Sequence, residues 1–155
     1  MAPRYYKKRY YKGSRDKYSV ENRCATLTLP AYPTQSQLNI VPQTGVEGMR
    51  KVKHLTVTMS SEAEQTTGVY WALVYVPEGY NPNNLNLTGG ASLYEPNQNV
   101  MACGVMDFSA GPCRVYSRLS RNLNSGDRIV LVVASTNASS TINIACVVSY
   151  AITLQ

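Results

Sequence analysis

The side chains best suited to chemistry in this 155-residue chain are few and scattered. A single histidine, His54, stands in the run Arg50, Lys51, Val52, Lys53, His54, Leu55. An imidazole base needs an acid partner and a reacting group within hydrogen-bond reach, and no Ser/His/Asp or Cys/His arrangement assembles around it. A lone strand histidine is expected to be structural. Cys24, Cys103, Cys113 and Cys146 show no C-x-x-C spacing, so a zinc site is not expected. Each lies in or beside an apolar segment, where a reduced thiol behaves as a small buried hydrophobe. The phosphate-cradling, zinc-protease and dinucleotide-binding motifs are absent. Glu62, Glu64, Glu78 and Glu95 fall between strands with no paired geometry. The expectation is a protein that is not an enzyme and takes no metal or cofactor.

One cluster does carry binding chemistry. Arg4, Lys7, Lys8, Arg9, Lys12, Arg15 and Lys17 stand against Asp16 alone in residues 1–18, which accounts for the whole net charge of +6. Like charges this dense stay solvated until a polyanion neutralises them. Tyr5, Tyr6, Tyr10, Tyr11 and Tyr18 are interleaved with them, five of the chain's twelve tyrosines. Tyrosine faces stack unpaired bases at about 1–3 kcal/mol per base. Residues 1–18 therefore read as an arm for single-stranded nucleic acid. A solubilising tail or a nuclear localisation signal is the plainer reading, and one arm can serve both.

The rest of the chain is neutral and must supply the scaffold. Charged residues make up 15% against 44% hydrophobic, with Ser, Thr and Asn filling the gap, as in a β protein rich in turns. The longest apolar run is Ile129 to Ala134, far short of a membrane-spanning helix, and the charged N-terminus has no apolar core of a signal peptide. Neither membrane insertion nor secretion is expected.

From Ser19 onward eight segments have strand character: about 23–29, 36–42, 48–60, 68–77, 99–108, 113–120, 127–136 and 141–154. In the last, Ile142, Ile144, Cys146, Val148, Tyr150, Ile152 and Leu154 alternate with small or polar residues, a period of two. Segment 127–136 is apolar on both parities, which predicts a strand covered on both faces. No helical stripe competes. Eight short strands suit an all-β jelly roll of two packed four-stranded antiparallel sheets, with 1–18 as a disordered arm and 19–155 as one domain. The connection from Pro77 to Gln98 is too long for a turn and is expected to be functional or ordered by a partner. Its Tyr80, Leu93 and Tyr94 are the expected subunit-interface residues, because aromatic anchors dominate interfaces.

Several runs resemble the capsid proteins of small circular, replication-initiator-encoding single-stranded DNA viruses, the circovirus-like group. They are Arg50 to Lys53, which would open strand D of the B-to-I naming; Tyr70 to Gly79, similar to the family's strand E and its following turn; Ser92 to Met101; and Ser120 to Ile129. The resemblance implies sheets BIDG and CHEF and a homo-oligomeric icosahedral T=1 shell of about sixty copies. It further implies a packaged single-stranded DNA genome, a virion location with assembly in the host nucleus, and contacts with a nuclear import receptor and a cell-surface receptor.

The arm is shorter and less arginine-rich than in that family. With sixty copies it would bring roughly 360 positive charges, short of the phosphates of a genome of about one to a few thousand nucleotides. Arg50, Lys51 and Lys53 are the expected supplementary contacts on the inner wall, with Arg23, Arg114 and Arg118 behind them. Lys51 and Lys53 share parity with Leu55, Val57 and Met59, so either the strand starts beyond the core or a bulge resets its phase. The plainer reading makes them solvated strand ends. The rival assignment from another class is a cellular β-sandwich binding module, lectin-like or a nucleic-acid chaperone, with a basic tail. A cupin-type enzyme would need several histidines.

Overall fold

The computed structural model describes residues 18–61, 68–81, 87, 99–136 and 140–154. Nine strands follow in chain order: β1 Ser19–Leu29, β2 Gln35–Val41, β3 Arg50–Ser61, β4 Gly68–Val76, β5 Val100–Asp107, β6 Cys113–Ser117, β7 Arg121–Leu123, β8 Arg128–Ser135 and β9 Ile142–Leu154. One sheet runs β1-β9-β3-β6 with β7 also on β3, and the other runs β2-β8-β4-β5. All pairings are antiparallel. Taking β6 and β7 together as strand G, these orders are BIDG and CHEF, the jelly roll. The expected segment 113–120 ends early, at Ser117, and a short strand that no expected segment covered, β7, resumes the ladder with β3 at Arg121. No described helix is long and apolar enough to cross a membrane.

Between the sheets lies the main core, which includes Leu27, Leu29, Leu55, Val57, Met59, Leu73, Leu131, Ile144 and Val148. Each is supplied by strand alternation, and each fully buried side chain of this size contributes about 1.5–3 kcal/mol. The doubly apolar β8 behaves as its sequence predicts. Ile129, Leu131 and Val133 enter the main core, while Val130 and Val132 join Ala72, Val74 and Val76 in a second cluster on the other face of the same sheet. Leu87, from the long connection after β4, packs against that second cluster together with Val100, and its backbone N–H donates to Gln35 Oε1 at 3.4 Å.

Candidate nucleic-acid interface

The first strand of the site, β3, changes phase at His54. Register against β9 slips between Lys53, opposite Ala151, and Thr56, opposite Ser149, so two residues of β3 face one of β9. His54 takes φ 53°, the left-handed conformation that such a bulge requires. Before the bulge Arg50 and Val52 are buried; after it Leu55, Val57 and Met59 are. Lys51 and Lys53 thereby point away from the core, although their parity matches that of the core residues beyond the bulge. His54 is exposed and is the residue that makes the bulge; among the described residues no three metal-ligating side chains come together.

Arg50 requires a correction. Its side chain is 8% exposed and turns inward. Its guanidinium donates to the carbonyls of Pro42 at 3.1 Å and Asp127 at 3.2 Å, while its Nε has no partner among the described residues. A guanidinium committed to backbone oxygens inside the fold is not available to a phosphate. Arg23 is also engaged: it donates to the Asn39 carbonyl at 2.6 Å, tying β1 to β2 across the two sheets.

Lys53 remains at the surface, with its Nζ 4.5 Å from the centroid of the Tyr18 ring. This is a cation–π contact between the end of the basic segment and the β3 surface. Arg4, Tyr5, Tyr6, Lys7, Lys8, Arg9, Tyr10, Tyr11, Lys12, Arg15 and Lys17 lie outside the described residues, as do Leu93 and Tyr94. Tyr80 is described and is 48% exposed.

The residue that sequence reasoning undervalued is Asp127, read there as part of an ordinary turn. It is 4% exposed. Its carboxylate accepts from Tyr75 Oη at 2.7 Å, Glu78 N at 3.2 Å and Asn124 N at 2.8 Å. The Ser125 hydroxyl and Gly126 N–H both donate to the Thr44 carbonyl. The connections after β2, β4 and β7 therefore meet at one end of the sandwich. Burial and the Asp127 carboxylate push the Tyr75 hydroxyl up to about 12. The available signal was an acid placed immediately before the apolar run 129–134, where an unpaired carboxylate is too costly to leave.

The cysteines are all free thiols. Cys24 pairs with Val147 and Ala25 with Cys146, so neighbouring strands place Cys24 and Cys146 on opposite faces of the sheet. The disulfide that adjacency of strands B and I might allow is excluded by this one-residue offset.

No family model matches the sequence, and no curated protein does. Among solved structures, a chain of desmodium yellow mottle tymovirus is 15% identical over 91% of this chain and 90% of its own, with a TM-score of 0.42. One of mud crab tombus-like virus is 7% identical over 91% and 92%, with a TM-score of 0.46. A family two carbohydrate esterase from Cellvibrio japonicus is 6% identical over 90% of this chain but 36% of its own, with a TM-score of 0.36. Likenesses this distant, spread over viral chains and an enzyme, leave the function to be argued from this chain's own residues.

Proposed function

We propose that this chain is a viral coat protein whose body, residues 19–155, builds a closed shell and whose arm, residues 1–18, packages single-stranded DNA. The observation that supports it most is the pairing of a BIDG/CHEF body with an N-terminal segment holding the whole net charge and five tyrosines. The circovirus-like resemblance in Tyr70 to Gly79 and Ser120 to Ile129 supports a small single-stranded DNA virus, a sixty-copy shell and assembly in the host nucleus.

Three measurements test the reading. Electron microscopy of the purified protein should show uniform closed particles; a monomer or small oligomer would favour the lectin-like or chaperone alternative. Deleting residues 1–18 should leave particles that carry no nucleic acid. Binding of single-stranded DNA by the intact chain should weaken with salt at a log–log slope of about −4 for six phosphate contacts. Salt-insensitive binding, or normal packaging without the arm, would overturn the assignment of the arm.

A further inference from the structure

The BIDG sheet has one face in the core and one in solvent, and strand register assigns the solvent face residue by residue. From β1 come Val20, Asn22, Cys24, Thr26 and Thr28, and from β9 the odd-numbered residues Asn143 to Ala151, while Thr153, on the same side of the strand, is buried. The central and far strands supply Lys51, Lys53, Thr56, Thr58 and Ser60 from β3, Asn122 from β7, and Arg114 and Tyr116 from β6. Among these described positions there is no Asp or Glu. Small, hydroxyl and amide side chains make most of the floor, with Val20 and Val147 exposed among them, and every formal charge on it is positive.

The cations form a line rather than a scatter. Lys51, Lys53, Thr56 and Thr58 occupy successive rows, opposite Thr153, Ala151, Ser149 and Val147, so each step is about 7 Å along the strand. Tyr116 lies beside Thr56, and Arg114 beside Thr58. The row therefore reads Lys51, Lys53, Tyr116, Arg114 across the sheet. Tyr116 is 41% exposed, and the Arg114 guanidinium sits 5.9 Å from its ring centroid. At the Lys53 row the line meets Tyr18, on which the Lys53 ammonium rests. Tyr18, the last residue of the basic segment, thus contacts a cation of this same face.

We infer that the solvent face of the BIDG sheet is a second binding track for single-stranded nucleic acid, with Lys51, Lys53 and Arg114 on the phosphates and Tyr116 and Tyr18 offering stacking faces. The partner follows from the chemistry: an acid-free, cationic surface with spaced aromatic rings fits a polyanion bearing unpaired bases. Tyr18 against Lys53 puts the end of the basic segment beside this track. This inference rests on the packaging role proposed for the arm and extends it to the folded body.

The test uses the full-length chain with dT30 and U30 oligonucleotides, comparing wild type, a face variant (Lys51→Gln, Lys53→Gln, Arg114→Gln) and an arm variant (Lys7→Gln, Lys8→Gln, Arg9→Gln). Each triple change should lower the salt slope of binding by about two. Ultraviolet cross-linking of the wild-type protein to the same oligonucleotides carrying a halogenated base should yield adducts at Tyr116, which needs no variant to fold. An unchanged slope in the face variant together with no Tyr116 adduct would overturn the track while leaving the arm's role standing. Loss of binding in neither variant would overturn both. If the face variant kept its slope but lost particle formation, the face would be a subunit contact and the inference would fall. The ratio of dT30 to U30 affinity tells whether the face prefers DNA or RNA.

Discussion

The Tyr75 hydroxyl donates a 2.7 Å hydrogen bond to Asp127 Oδ2, joining the end of β4 to the residue that precedes β8. Because the same carboxylate accepts two backbone N–H groups, Asp127 is the common anchor of the loops at that end. Asp127→Ala should cost about 3–5 kcal/mol, since it strands several buried donors together. Chemical denaturation of the purified variant measures it; a loss below about 1 kcal/mol would show that the loops hold one another without the carboxylate.

The same bond predicts an alkaline signature. The Tyr75 pKa is raised from 10.0 to about 12, by burial first and then by Asp127. A raised folded value favours the protonated hydroxyl, so its stabilisation is complete below pH 10 and is lost as pH climbs toward 12. The difference in stability between wild type and Tyr75→Phe should shrink across that window. A difference constant from pH 9 to 12 would contradict the assignment.

Gly126 occupies φ +82°, and a Cβ built there lies 2.5 Å from the Glu78 carboxyl carbon. Gly126→Ala should lose about 2–3 kcal/mol, combining backbone strain with the clash. Adding Glu78→Ala should recover only part, because Glu78 Cβ also lies 2.8 Å away and the strain persists. Full recovery would mean that the conformation itself costs nothing.

The thiols should separate by face. Exposed Cys24 and Cys103 should react with a maleimide at neutral pH in the native protein, and Cys146 only after unfolding, because burial pushes its thiol up to about 11. Intact mass under non-reducing conditions should show four free thiols. A product two protons lighter would overturn the expectation that the thiols stay reduced.

Assembly is expected to run through the connection after β4. Leu93→Ser with Tyr94→Ser should give folded protein that forms no particles, checked by microscopy and circular dichroism. Normal particles from this variant would move the subunit contacts elsewhere.

Eight of the nine strands were legible because alternation along β9 and the doubly apolar β8 are consequences of burial, which sequence records directly, whereas the sheet order came from the resemblance and not from periodicity. Where the reading fell short, the deciding quantity was long-range. Arg50 looks like its neighbours Lys51 and Lys53 in sequence, yet it is drawn inward by carbonyls from Pro42 and Asp127, and no local pattern announces such partners. Asp127 was hidden by the same cause, since two of its three donors, Tyr75 and Glu78, come from one distant segment and only Asn124 from the adjacent turn. The short β7 was missed because its three residues, Arg121, Asn122 and Leu123, are too few to show a period of two.

The extra residue at His54 makes β3 two rulers laid end to end with their divisions offset. A substitution that is harmless at an even position past the bulge would be buried at an even position before it, so surface redesign must change parity midway along a single strand. Removing that one residue would exchange Lys51 and Lys53 with Arg50 and Val52, driving two ammonium groups inward and leaving Arg50 and Arg114 as the charges of the sheet's solvent face. The insertion therefore lets one continuous strand line the core at one end and offer paired lysines to solvent at the other.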